Sequence, residues 1–391
     1  MRLVVVNHEY PPLGGGAATA CAALAGALAR RGHELLVVTS AASGCPSWEE
    51  HENLVVIRLA DGRRSLLAPS PSELLRFYFH ARARLPELIH GFRPNGILAF
   101  FAVPAGPLAV AAAHRFRVPC VVSLRGSDVP GFASQRLAPW QQLALRPWIR
   151  RTLLGADAVA PNNQHLHDLA VQFEPRIREK TSVVPNGVEP TTIASVPARS
   201  GTGELRLVTV AQFIPRKRLD LGIETLRGLS DAGLPVRLTL VGAGPQEQAL
   251  RRLAGRLGVA ERVDFAGYRP RAEMTQLLRQ QDVFLMTSRA EGASNAILEA
   301  MAAGLPIVTT RNGAHDLVLE AGCGIVVETA EQRFLADALH ALLVDENRRY
   351  RLAEAGLDYA KSHTWQRSAE RLETIFLGLA PNGFRGCRCQ E

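Results

Sequence analysis

A chain of 391 residues, 47% apolar and 21% charged, is that of a soluble globular protein long enough for two domains, not of a disordered or fibrous one. Its net charge of +8 is concentrated at the front, where residues 1–190 hold 20 Lys and Arg against 14 Asp and Glu. A basic half of this kind suits anionic lipid or a phosphorylated substrate, while the scarcity of aromatics and the lack of any nucleic-acid module set nucleic acid aside. Six scattered cysteines, with Cys387-x-Cys389 in a tail, support neither a disulfide framework nor a zinc site. Met1-Arg2 leads straight into a strand, so a secretory signal is not expected. The longest apolar run, 97–113, is broken by Pro104, Gly106 and Pro107. A cytoplasmic setting is expected, and a transmembrane helix is not.

The run of β-branched residues at 3–7 predicts a buried strand, followed by Pro11-Pro-Leu-Gly14-Gly15-Gly16, an Ala/Leu helix over 17–31 and a second strand at 34–39. The glycines lie where a ligand would meet a helix start, but no third glycine completes a dinucleotide fingerprint. Strands recur at 54–59, 97–101, 120–124 and 158–160 with helical stretches between them, a pattern of α/β class with a doubly wound parallel sheet. Arg125-Gly-Ser-Asp128 falls at one strand end, where such sheets bind ligands, so Arg125 and Asp128 are site candidates; a structural ion pair explains them nearly as well. His165 and His167 have no acidic or Cys partner at useful spacing and read as helix surface.

Residues 190–203, rich in Pro, Ser, Thr, Ala and Gly, read as a linker between a first domain at 1–189 and a second at 204–365. A second alternating series follows, with strands at 206–210, 237–241, 263–265, 283–286, 307–309 and 324–327. A final helix within 366–391 is expected to return to the first domain. Arg216-Lys217-Arg218 sits between a strand and a helix, and Lys217 is one of three lysines beside 42 arginines, so its compact ammonium stands out. Gly242-Ala-Gly244 is a strand-end loop of close-approach type. The stretch 291–310, EGASNAILEAMAAGLPIVTT, places Glu291 in a loop, Ser294 or Asn295 as the cap of a short helix over 296–303, and Glu299 on that helix. Such a helix start welcomes phosphate, and carboxylates beside it can accept sugar hydroxyls.

Taken in order, PPLGGG, RGHELLVVT, RGSD, VVPNGV, FIPRK, LVGAGP, VDFAGY and EGASNAILEAMAAGLPIV resemble glycosyltransferase family 4, and the likeness spans nearly the whole chain. The resemblance implies a GT-B fold, two Rossmann-like domains facing a cleft. It also implies metal-independent transfer, with retention, from a nucleoside-diphosphate sugar, UDP- ahead of GDP- or ADP-, to a glycan, lipid-linked or small-molecule acceptor in cell-surface polysaccharide or glycolipid synthesis. No further cofactor is expected. By position, Glu299 would bind the ribose, Glu291 would lie against the transferred sugar, and Lys217 would neutralise the departing diphosphate. Ser294, Asn295, Ala296, Gly15 and Gly16 would supply N–H groups, and Tyr268 would lie near the base. Gly244, Arg216 and Arg218 complete the expected donor side, and Asp128 the acceptor side.

Two positions depart from the family pattern. Gln212 stands where an arginine usually joins the lysine, leaving Arg216 or Arg218 to substitute, and Arg125 stands where many members have histidine. Arg125 can bind phosphate or hydroxyl but cannot act as a base at ordinary pH. The alternative reading is therefore a catalytically impaired GT-B protein that binds nucleotide or glycan as a partner. Basic-aromatic segments at 74–90 and 139–154 suggest peripheral contact with the inner face of a membrane through the first domain, although core packing explains their aromatics too.

Overall fold

A computed structural model describes residues 1–66, 69–126, 128–132, 139–193 and 203–379. The chain divides into two compact units: Met1–Asn186 joined by the segment that begins at Trp365, and Gly187–Thr364. Most of the stretch expected as a linker (194–202), Ser127 of the Arg125–Asp128 motif, and the Cys387-x-Cys389 pair lie outside the described residues.

The first unit runs β1 (Arg2–Val6), α1 (Gly16–Arg30), β2 (Glu34–Ser40), β3 (Trp48–His51), β4 (Leu54–Leu59), α2 (Pro71–Phe92), β5 (Gly96–Phe100), α3 (Ala105–Phe116), β6 (Cys120–Leu124), α4 (Pro139–Gly155), β7 (Ala158–Pro161) and α5 (Gln164–Phe173). Its seven strands lie in the order β3-β4-β2-β1-β5-β6-β7. All pairings are parallel except that of β3, whose Trp48 pairs with Ile57 in antiparallel register. The sequence reading missed β3: WEEH carries two glutamates and no apolar alternation, the composition of an edge strand guarded against further pairing. The interior strands read as unbroken apolar runs because both faces are covered. One face packs Phe77, Ala81, Leu85 and Ile89 of α2 with residues of α3, α4 and α5. The other packs α1 and a late helix, α13 (Trp365–Leu379).

The second unit runs β8 (Leu205–Val210), α6 (Leu219–Asp231), β9 (Val236–Val241), α7 (Glu247–Arg256), β10 (Val263–Gly267), α8 (Arg271–Arg279), β11 (Val283–Met286), α9 (Asn295–Ala302), β12 (Ile307–Thr310), α10 (His315–Ala321), β13 (Gly324–Val327), α11 (Gln332–Val344) and α12 (Glu346–Ser362). Its six parallel strands take the order β10-β9-β8-β11-β12-β13, again between two apolar layers. The chain then passes to α13 (Trp365–Leu379), which completes the first unit. There Trp365, Leu372 and Phe376 are buried, and Arg31, which caps the end of α1, meets Glu370 at 2.9 Å and Glu373 at 2.5 Å. Gly96 makes room for this helix, since a Cβ there would lie 2.6 Å from the Phe376 ring. No described helix is long and apolar enough to cross a membrane.

Candidate functional site

In an open parallel sheet, ligands bind beyond the carboxyl ends of the strands where the winding reverses. In the second unit that point lies between β8 and β11. Beyond β8 the chain turns sharply: buried Phe213 donates its N–H to Ala243 O at 2.9 Å, and a 3-10 turn spans Pro215–Lys217. Arg218 ends the turn in the left-handed region, φ 49°. The Thr287 hydroxyl, just past β11, bonds the carbonyls of Lys217 (3.0 Å) and Arg218 (2.7 Å), which locks the turn to the neighbouring strand.

This turn delivers two cations to one carboxylate. Lys217 Nζ lies 2.5 Å from Glu291 Oε1, and Arg216 Nη1 lies 3.4 Å from Oε2 while also donating to the Ala290 carbonyl. Glu291 is buried. Burial works against its ionisation, but Lys217 and Arg216 more than offset it and hold the carboxyl below its ordinary range. Two cations and one anion leave a net positive cluster, suited to an anionic ligand. Arg218 turns instead to Asp220 at 2.9 Å. Of the two arginines flanking Lys217, Arg216 is thus the one in the cluster.

Two residues that position Glu291 were missed from the sequence. Asn312, beyond β12, accepts the Glu291 N–H on its carbonyl at 2.6 Å, and its side chain bonds Thr309 Oγ1 (3.0 Å) and the Ala314 N–H (3.0 Å). His315 accepts the N–H groups of Gly313 (2.9 Å) and Asn312 (3.3 Å) on Nδ1, so a neutral ring carries its proton on Nε2. Ser294 is the cap of α9, its Oγ accepting the Ile297 N–H at 3.4 Å. Asn295 and Ala296 open that helix, and Glu299 is half-buried on it. Tyr268 is exposed, and Gln212 is half-buried beside Phe213. The space at Gly244 is taken by the chain itself: a Cβ there would meet Phe213 O at 2.6 Å.

The corresponding point in the first unit lies between β1 and β5. Gly15 caps α1 and Gly16 begins it, but the tight position is Gly14, with φ 90° and a Cβ site 2.6 Å from the Glu9 carboxylate. Buried Asn7, His8 and Glu9 follow β1 directly. The Asn7 amide donates to the Glu9 carbonyl, and the His8 ring packs 4.9 Å from Phe101. Arg58 and Arg63 donate to the carbonyls of Pro11 (2.7 Å) and His8 (2.6 Å), fixing this glycine-rich loop from the β4 side. The strand pattern, which ends at Asn7, gave no sign of these polar neighbours.

Arg125 lies over the Phe100 ring at 4.2 Å and donates to Asn186 Oδ1 at 2.8 Å. Burial brings its guanidinium down to about 10, still charged at neutral pH. Asp128 is buried and accepts the N–H groups of Ala102 (2.8 Å), Gly126 (2.9 Å) and Arg125 (3.1 Å), so its carboxylate braces the ends of β5 and β6. Among the described residues no group of three His, Cys, Asp or Glu is placed to hold a metal ion.

Comparison with known proteins matches residues 14–192 to the model of Glycosyltransferase Family 4 and residues 194–358 to that of Glycosyl transferases group 1. A GDP-mannose-dependent alpha-mannosyltransferase of Mycobacterium tuberculosis is 30% identical over 90% of both chains. A GDP-mannose-dependent alpha-(1-6)-phosphatidylinositol monomannoside mannosyltransferase of Mycolicibacterium smegmatis is 28% identical over 96% of this chain and 98% of its own. Among solved structures, sucrose-phosphate synthase of Thermosynechococcus elongatus superposes with a TM-score of 0.79 at 19% identity, over 97% of this chain and 99% of that one. HepE of Anabaena, in complex with UDP-glucose, does so with 0.73 at 21% identity, over 96% and 100%. Two parallel-sheet units and these likenesses together place the chain in glycosyltransferase family 4, with the GT-B fold.

Proposed function

We propose that this protein is a retaining, metal-independent hexosyltransferase that takes its sugar from a nucleoside diphosphate. The observation that carries the reading is the Lys217–Glu291 pair at 2.5 Å, with Arg216 on the same carboxylate, at the reversal point of the second sheet. In transfer, the bond between the anomeric carbon and the diphosphate oxygen breaks, leaving negative charge on the diphosphate and positive character on the sugar. Lys217 and Arg216 meet the first, with the N–H groups at the start of α9. Glu291 lies against the sugar and Glu299 takes the ribose hydroxyls. The acceptor hydroxyl attacks the face the diphosphate leaves, and its proton passes to the departing phosphate oxygen. With two protein cations serving the diphosphate, a divalent ion has no assigned part.

In the first unit, Gly15 and Gly16 offer N–H groups to the donor, while Arg125 and Asp128 shape the acceptor side. Gly244 and Tyr268 border the base. The names of the mycobacterial relatives support GDP-mannose as a donor to test beside the UDP-sugars expected from the sequence. They also support a lipid-linked or glycan acceptor, which would place the reaction at the cytoplasmic face of a membrane.

Thermal shift against UDP-, GDP- and ADP-sugars tests the donor site. One donor class should raise the melting temperature, and Lys217→Ala and Glu299→Ala should each reduce that rise. Lys217→Ala should also lower kcat by about 100- to 1,000-fold, and chelator should leave the rate unchanged. No stabilisation by any donor, in folded protein, would favour the second reading, a nucleotide- or glycan-binding partner without activity. Gln212, uncharged where the family pattern has an arginine, is the feature that motivates it.

A further inference from the structure

We propose that the outer surface of α2 and α4 in the first unit docks on an anionic lipid bilayer. On α2, Leu75, Phe79 and Arg82 recur at helical spacing on the side away from the core stripe of Phe77, Ala81 and Leu85, and Leu75 and Phe79 are 59% and 60% exposed. On α4, Trp140, Leu143 and Trp148 are 71%, 65% and 47% exposed, while Ile149 and Leu153 face inward. The helices adjoin, for the Tyr78 ring meets Trp148 edge-on at 6.3 Å and Phe79 at 5.5 Å. The exposed apolar groups therefore form one patch across two helices instead of scattered singles, and such a patch marks an interaction site.

Charge selects the occupant. The exposed positions of the two helices carry Arg76, Arg82 and Arg84 on α2 and Arg146, Arg150 and Arg151 on α4. Against them stand three glutamates: Glu73 is buried on backbone N–H groups, Glu87 is tied to Arg84 at 2.7 Å, and Glu174, just past α5, is tied to Arg150 at 3.1 Å. Arg146 and Arg150 lie over the Phe173 ring there, which leaves Arg76, Arg82 and Arg151 to carry the rim. An apolar patch with tryptophans, rimmed by cations of one sign, fits the boundary between acyl chains and anionic headgroups, with phosphates within reach of the guanidinium forks. Because no described helix is built to span a bilayer, the surface would lie on it.

The inference rests on the reading of a lipid-linked acceptor for its purpose but not for its test, which uses neither donor nor acceptor. The full chain is sedimented with phosphatidylcholine vesicles, with and without phosphatidylglycerol, at low and high salt. It should bind the vesicles that contain phosphatidylglycerol, lose binding as salt rises, and ignore phosphatidylcholine alone. Arg82→Gln and Arg151→Gln should each weaken binding about fivefold, and the Trp140→Ser/Leu143→Ser double variant by about tenfold or more. All three should keep the wild-type melting temperature and the donor-induced stabilisation, so a failed vesicle assay leaves sugar transfer standing. No binding at low salt, equal binding to neutral vesicles, or wild-type binding by all variants would each overturn the inference. So would a patch variant that loses self-association instead of vesicle binding, since the surface would then be a protein contact.

Discussion

Arg216 and Lys217 are neighbours in sequence, yet they reach the two oxygens of one carboxylate because a 3-10 turn places them side by side. If Arg216 supplies the second cation that position 212 lacks, Arg216→Ala should cut kcat about 10- to 100-fold, whereas Gln212→Ala should change it little; steady-state kinetics separates the two. Gln212→Arg combined with Arg216→Ala should recover part of the loss. The same pair has a pH signature. Glu291 ionises below the ordinary 4.5 when folded, so its contribution to stability is complete above that value and is lost as the pH falls through the lower folded one. Donor-induced stabilisation should therefore be flat from pH 8 down to about 5 as far as Glu291 is concerned. A loss centred near neutrality would point to another group. Lys217 and Glu291 were legible in the sequence because each sits in a short polar motif just past an apolar strand. Asn312 and His315 were not, because they act by accepting backbone N–H groups, a role that follows from loop geometry and not from any residue pattern.

The elements show two devices that hold site loops in place. At the start of α2, Ser70 and Glu73 form a reciprocal capping box, and Glu73 also accepts the N–H groups of Arg64 (2.7 Å) and Ser65 (3.1 Å). Desolvation opposes its ionisation, but the N–H donors of Arg64, Ser70 and Ser65 and the Ser70 hydroxyl bring its carboxyl down to about 2. Glu73→Ala should cost about 1–2 kcal/mol at neutral pH. Since the folded value lies below the unfolded one, the gap from wild type should be full above pH 4.5 and close as the pH approaches 2; urea melts at pH 7 and pH 3 measure it. The second device is the loop after β9, where a Cβ on Gly242 would fall 1.9 Å from Ala211 O at φ 137°. Gly242→Ala should destabilise by about 2 kcal/mol or more and, because this loop supports the 211–218 turn, weaken the donor shift as well. Alternating apolar runs identified twelve of the strands within a residue or two, and β3 escaped for the chemical reason that protects it as an edge.

At the scale of the whole molecule, the sequence leads to a last helix that returns to the first domain, but the apolar stripe of α13 does not name the residue it packs on. Phe376 decides it by filling the space above Gly96. Phe376→Ala should cost the first unit about 3–5 kcal/mol while leaving the second unit's transition in place, two events that calorimetry can resolve. The segments that link the units are held side by side. Ser368 Oγ bonds Pro185 O at 2.7 Å, and Val188 donates its N–H to His363 O at 3.0 Å. The second unit is accordingly an unbroken insert whose two ends meet. Synthesis from the N-terminus gives this layout a temporal meaning. The first unit leaves the ribosome first but is finished last, because its closing helix follows all of Gly187–Thr364. A nascent chain stalled after Thr364 would hold a completed second unit beside a first one whose surface around Leu3, Leu24 and Leu28 still waits for its cover, and that interval is when this protein most needs a chaperone.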